Sequence, residues 1–227
     1  GNESDLNVID FLEYLGEDPE TEIIVAYLEG VKDGRRFYNL AKEISKKKPI
    51  ILWKGGVTEA GAKAAISHTG SMAGSGPIWE AALRQAGVIS VKSFEEVIDS
   101  LYALHLQPLP RGRRVGIISG PGGTAVSTTD RCLEMGLEVP PFSTQTIERL
   151  HKALPAVGGS VQNPIALRLA SLVAPNVYND AIRIAAEDEG IAMLLVIAVV
   201  GGEVLRDIIL EATRGIRVRK PLVVTVM

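Results

Sequence analysis

Val115-Gly116-Ile117-Ile118-Ser119-Gly120-Pro121-Gly122-Gly123-Thr124 is the stretch whose reading decides the fold. A short apolar run, a glycine-rich turn and a segment of helical periodicity from Thr124 to Met135 give strand, loop and helix in that order. An unbroken apolar run of this kind suits a strand buried on both faces, as in a parallel sheet. Downstream the same pattern continues. Helices are expected near Thr144 to Leu154 and Val177 to Glu187, a strand over Ala192 to Val199, a helix near Glu203 to Thr213 and a strand over Leu222 to Val226.

Upstream, three apolar runs, Ile23 to Leu28, Ile50 to Trp53 and Val88 to Val91, read as buried parallel strands. Helices are expected over Val8 to Leu15, Arg36 to Lys47, Pro77 to Gln85 and Phe94 to Leu104, the last with Ser93 as N-cap and Glu96 three residues on. Between the two alternating halves lies Gln107-Pro108-Leu109-Pro110-Arg111-Gly112, whose prolines and glycine cannot continue a helix. The sequence therefore predicts an α/β protein of two tandem parallel-sheet domains, 1–107 and 114–227, joined by a linker at 108–113. Each expected sheet is small for an open parallel sheet, so further sequence is expected at both ends.

The 227 residues carry a net charge of −3 and include 46% hydrophobic residues. That is enough for a sizeable core, and there is no basic field or Lys/Arg run with aromatics to hold a nucleic acid. The longest apolar run, Ile191 to Val200, is too short to cross a bilayer, and no signal-peptide pattern opens the chain. The single cysteine, Cys132, offers neither a disulfide framework nor a metal-ligand pair, which fits a reducing cytoplasm. No metal site is expected.

Of the three histidines, His105 and His151 fall in helical patterns, whereas His68 lies in Ser67-His68-Thr69-Gly70-Ser71-Met72-Ala73-Gly74-Ser75. These small residues read as a loop in which Gly70 and Ser71 can bring backbone amides close to an anion. A neutral imidazole is a good nucleophile near neutral pH, so the loop fits transient phosphorylation of His68. On the residues alone a second reading stands beside it: a surface histidine in a small-residue loop. The ring nitrogen that does not react needs an acceptor. Glu29 is the candidate, because it directly follows a strand and so belongs at the carboxyl edge of a parallel sheet.

Gly120, Gly122, Gly123 and Thr124, between a strand and a helix, form a second candidate phosphate seat, or equally a tight βα turn. The turn is neither a P-loop nor a dinucleotide fingerprint, since no Gly-Lys-Ser/Thr follows and the Gly-x-Gly-x-x-Gly spacing is absent. Lys54 and Lys63, flanking the approach to His68, read as lysines that could steer a polyanion but are more simply solvated. Trp53 and Trp79 read as packing residues.

Tyr27-Leu28-Glu29-Gly30, Trp53-Lys54-Gly55-Gly56, Glu59-Ala60-Gly61-Ala62-Lys63 and the Ser67–Ser75 segment together resemble the nucleoside-diphosphate-forming acyl-CoA synthetases, of which succinyl-CoA synthetase is the best-known relative. The likeness continues through Gln85-Ala86-Gly87-Val88, Pro108-Leu109-Pro110 and Asn163-Pro164. It departs where Ala166 stands in place of the family's usual Asp, and where Ser119-Gly120-Pro121 replaces an Asn-Ala-Gly-Gly turn.

The resemblance implies two flavodoxin-like three-layer domains that form the middle of a larger enzyme. It matches His68 to the histidine that takes a phosphoryl group from an acyl phosphate and delivers it to ADP, and Glu29 to the acid that hydrogen-bonds its ring. The implied reaction is acyl-CoA, phosphate and ADP giving free acid, CoA and ATP. CoA, ATP or ADP and Mg2+ enter as substrates or with partner domains, and the one covalent group is the transient phosphate on His68. The partners implied are a CoA-binding Rossmann-like domain and an ATP-grasp domain, in the same gene or a separate subunit, within an oligomer. The alternatives left open are a noncatalytic or regulatory module of a related protein acyltransferase and a citrate-lyase-like CoA ligase.

Overall fold

The computed structural model describes residues 3, 5–69, 74–154, 159–167, 176–198, 207, 210 and 220–226. The chain divides into two units, Gly1–Leu106 and Gln107–Met227.

The first unit is built on three parallel strands, β1 (Ile24–Leu28), β2 (Ile50–Lys54) and β3 (Ile89–Val91), in the order β1-β2-β3. Period two along β2 sends Ile50 and Leu52 to one side and Ile51 and Trp53 to the other. Helices α1 (Val8–Glu17), α2 (Gly34–Ile44) and α4 (Gly76–Gln85) cover the first side, where Ile9, Leu12, Phe37, Ala41 and Leu83 close over Ile50 and Leu52. Helix α5 (Phe94–Leu106) covers the other, through Val97 against Ile51 and Val91. Full burial of each large aliphatic side chain contributes about 2 kcal/mol.

Local signals fix the helix starts. Asn7 accepts from Ile9 N–H at 2.8 Å while Asp10 accepts from Asn7 N–H at 2.9 Å, a reciprocal cap on α1. Asp33 accepts from Arg36 N–H at 2.9 Å and starts α2. Ser93 Oγ accepts from Glu96 N–H at 3.2 Å as expected, but the Glu96 carboxylate reaches past it to Lys92 N–H at 2.7 Å.

Helix α3 (Glu59–Thr69) corrects the expected loop around His68. Thr58 Oγ1 accepts from Gly61 N–H at 3.1 Å, and Glu59 pairs with Lys63 one turn on at 2.8 Å. Ala60, Ala62, Ala64 and Ala65 supply strong helix propensity, which outweighs the loop-like impression left by Gly61 and Ser67.

In the second unit four parallel strands run in the order β5-β4-β6-β7: β4 (Val115–Ser119), β5 (Ile165–Ala166), β6 (Met193–Ala198) and β7 (Leu222–Val226). Every residue of β4 is buried, as its unbroken apolar sequence requires. Helix α6 (Gly122–Glu134) packs Cys132 against Val115, Ile117 and Ile197 on one side. Helices α7 (Thr144–Ala153) and α8 (Asn176–Ala186) pack Leu150, Ala181, Ile182 and Ala185 against Ile118, Leu194 and Val196 on the other. Both units thus have the three layers expected of a flavodoxin-like α/β protein. The expected helix near 203–213 lies largely outside the described residues.

The two-residue strand β5 was not legible in the sequence, and its ladder is completed by a side chain. Pro164 has no N–H to give. Asn163 instead accepts from Ile117 N–H at 2.9 Å and donates to the carbonyls of Val115 at 2.8 Å and Pro140 at 2.7 Å. The Asn163–Pro164 peptide is cis.

Candidate functional site

The carboxyl ends of β1 and β2 meet at one point. Leu28 and Lys54 are register partners, the last pair of the ladder, and Gly55 N–H still reaches Leu28 C=O at 2.9 Å. The next carbonyl, that of Glu29, has passed the end of the strand and needs another donor. Lys54 provides it. Its ammonium donates to Glu29 C=O at 2.7 Å and to Gly55 C=O, and lies 5.2 Å from the centre of the Trp79 ring.

Lys54 is only 6% exposed, so its expected place on a solvated surface is corrected. Period two from Ile50 and Leu52 accounts for this, since it turns residue 54 to the inner face. Burial pushes the Lys54 ammonium below its ordinary value, and the Glu29 carboxylate opposes that shift.

Glu29 is half-buried, and Tyr27 donates to its carboxylate at 3.4 Å. Burial first, then the Glu29 charge, raises the Tyr27 phenol above its ordinary value. Tyr27 also meets Trp53 edge to face, with ring centres 5.2 Å apart. A carboxylate therefore stands at the carboxyl edge of the first sheet, where the sequence puts it.

His68 is in the last turn of α3, which descends from the loop after β2, and its side chain lies outside what the structure describes. Gly70 and Ser71 likewise lie outside the described residues. The chain is described again from Gly74, whose φ of 68° lies in the left-handed region that favours glycine. Two residues on, a side chain at Gly76 would come within 2.8 Å of Val57 C=O. That close approach fixes the return of the chain into α4.

The glycine turn of the second unit behaves unevenly. Gly120 N–H is taken up by Ile197 C=O at 3.1 Å, so Gly120 does not supply an amide to a ligand there. Thr124 Oγ1 turns back to Pro121 C=O at 2.8 Å and to Ser119 Oγ at 2.6 Å, while Ser119 Oγ also lies 2.8 Å from Pro121 C=O. These hydroxyls hold the turn. Gly122 and Gly123 open α6, and no atom lies within 4 Å of where a side chain would stand on either. The first amides of a helix have no acceptor within it, so those of Gly122, Gly123 and Thr124 form the part of the turn that can meet an anion.

A cavity of about 300 Å3 opens in the first unit between α2 and α4, lined by Phe37, Tyr38, Ile78, Trp79 and Leu83. Its wall is apolar and offers an anion little. Among the described residues no group of three or more His, Cys, Asp or Glu could hold a metal ion. No described helix is long and apolar enough to cross a membrane.

Two parallel α/β units, one with a carboxylate at its carboxyl edge and the other with an open glycine turn at a helix start, define a flavodoxin-like protein. Residues 1–104 match the model of the succinyl-CoA ligase like flavodoxin domain. The chain is 41% identical over 200 residues to the ADP-forming acetate–CoA ligase II subunit alpha of Pyrococcus furiosus, covering 88% of this chain and 43% of that one. It is 40% identical over 231 residues to the I subunit alpha from the same organism, covering all of this chain and 49% of the relative. Among solved structures it matches the dinucleotide forming acetyl-coenzyme A synthetase 1 of Ca. Korarchaeum cryptofilum, in complex with phosphate and ADP. That match has a TM-score of 0.85 and 33% identity, over 100% of this chain and 49% of the other. The chain belongs to the succinyl-CoA synthetase-like family of NDP-forming acyl-CoA synthetases and corresponds to its flavodoxin-like domains. It spans less than half the length of these relatives.

Proposed function

We propose that the chain is the phosphohistidine-bearing part of an ADP-forming acyl-CoA synthetase. The complete enzyme interconverts acyl-CoA, phosphate and ADP with free acid, CoA and ATP. His68 attacks the phosphorus of an acyl phosphate, forming a P–N bond as the P–O bond to the departing carboxylate breaks. The terminal β-phosphate oxygen of ADP then takes the phosphoryl group, restoring the imidazole and making ATP. Glu29 accepts from the ring nitrogen that does not react, fixing the tautomer and offsetting the charge of the phosphorylated ring. Magnesium enters with the nucleotide.

The observation that carries this reading is Glu29 at the sheet edge beside the loop that leads to the helix with His68 in its last turn, in a chain of this family. In the second unit, the amides of Gly122, Gly123 and Thr124 serve as a second phosphate contact. Gly70 and Ser71 are the corresponding contacts beside His68. CoA-binding and ATP-grasp domains complete the enzyme.

The test is phosphate labelling of the complete protein, with its partner domains, from γ-labelled ATP and Mg2+. The label is expected to be acid-labile and base-stable, to vanish in His68→Ala and to weaken less severely in Glu29→Ala. Histidine-linked label that survives in His68→Ala refutes the assignment.

A further inference from the structure

Lys54 occupies a position where the strand pattern calls for an apolar residue, on the same face as Ile50 and Leu52. Lysine is almost never fully buried unless something compensates its charge. Two main-chain carbonyls and a ring face do so here. One of those carbonyls belongs to Glu29, one residue beyond the end of β1. The last ladder pair is followed by Gly55 N–H on Leu28 C=O, and past that point the ammonium ties the Glu29 main chain to β2. The Glu29 side chain is held separately, by the Tyr27 hydroxyl at 3.4 Å.

We infer that Lys54 is a positioning residue for phosphoryl transfer: by anchoring the Glu29 main chain and presenting a buried positive charge beside it, Lys54 fixes where the Glu29 carboxylate stands. This rests on the assignment of Glu29 and His68 above. Lys54 does not touch the reacting atoms. A leucine or methionine at 54 would fill the same space above Trp79 and leave the Glu29 carbonyl without its donor. An arginine would keep both the charge and the donors, and its planar head stacks well on an indole.

The experiment compares Lys54→Met, Lys54→Arg, Glu29→Gln and the double variant Lys54→Met/Glu29→Gln in the complete protein with its partner domains. Each is measured for the rate of histidine labelling, for the apparent KM for ATP and for thermal stability. Lys54→Met is expected to slow labelling about tenfold, the scale on which loss of an orienting partner is felt, with KM for ATP unchanged. Lys54→Arg is expected to recover most of the rate. The double variant is expected to be no slower than Glu29→Gln alone, because both changes act through one carboxylate.

Normal labelling in Lys54→Met beside impaired Glu29→Gln overturns the inference and spares the functional reading. So does a double variant whose losses multiply. Normal labelling in Glu29→Gln removes the Glu29 assignment and the inference with it. Should Lys54→Met not fold, Lys54→Leu, which likewise removes both donor and charge, is judged by the same outcomes.

Discussion

Replacing Asn163 with alanine removes three hydrogen bonds at once, and the structure allows the loss to be worked out. The side chain accepts from Ile117 N–H at 2.9 Å and donates to Val115 C=O at 2.8 Å and Pro140 C=O at 2.7 Å. At about 1 kcal/mol net per bond the direct loss is about 3 kcal/mol. Ile117 and Val115 are both buried, so water cannot easily replace the missing partner, and leaving their groups unmet adds about 1–2 kcal/mol. The expected destabilisation is therefore about 4–5 kcal/mol, or roughly a 15 °C fall in Tm for a domain of this size. Urea unfolding followed by far-UV circular dichroism measures the total. Amide hydrogen exchange at Ile117 measures the local effect, with exchange expected to speed up about 100-fold. Asn163→Asp keeps an acceptor but sets a carboxylate against two carbonyl oxygens, and should fare no better. A loss below about 1 kcal/mol with unchanged Ile117 protection would refute the view that this side chain completes the β4–β5 ladder.

Asp188 is buried, and although desolvation raises its carboxyl pKa, hydrogen bonds from Ser143 N–H, Thr146 and Gly190 N–H outweigh that and hold it below its ordinary 3.8. A lowered folded value means the stabilisation is present above 3.8 and drains away as pH falls through the folded value. Acid unfolding curves of Asp188→Asn should accordingly be flatter below that pH than the parent's, and parallel curves would contradict the assignment. Gly116→Ala would bring a methyl group within 2.6 Å of Leu194 Cδ2 and 3.1 Å of Phe142 Cε1, and denaturant midpoints should register an overpacking cost of about 1–3 kcal/mol. Gly123→Ala meets open space at the start of α6 and should leave stability unchanged or raise it by about 0.5 kcal/mol, so a marked loss in a thermal melt would mean that the turn needs glycine for its backbone.

The sheets were readable because buried parallel strands leave unbroken apolar runs, and β4 is found over Val115–Ser119, the run from which the reading began. Glu29 at a sheet edge followed from the same logic, since the residue after such a run stands at the carboxyl end. Lys54 escaped because a lysine is ordinarily taken as solvated, although its spacing from Ile50 and Leu52 already pointed inward. The helix leading to His68 escaped because glycine and serine are loop-forming residues, whereas four alanines and the Glu59–Lys63 pair favour the helix. Nothing local could have revealed β5: its two residues pair with β4 beside an amide side chain acting across 46 positions of sequence, a contact that no pattern of periodicity carries.

Among the described residues strand β1 forms one margin of its sheet, and on it Val25 is 44% and Tyr27 54% exposed. A margin like this can recruit a neighbour through main-chain pairing, because unpaired amides and carbonyls do not discriminate between chains. Purification of the first unit by itself would thus face a handling problem rooted in geometry: concentrated stocks would associate along this strand, and a lysine at Val25 would be the least invasive remedy.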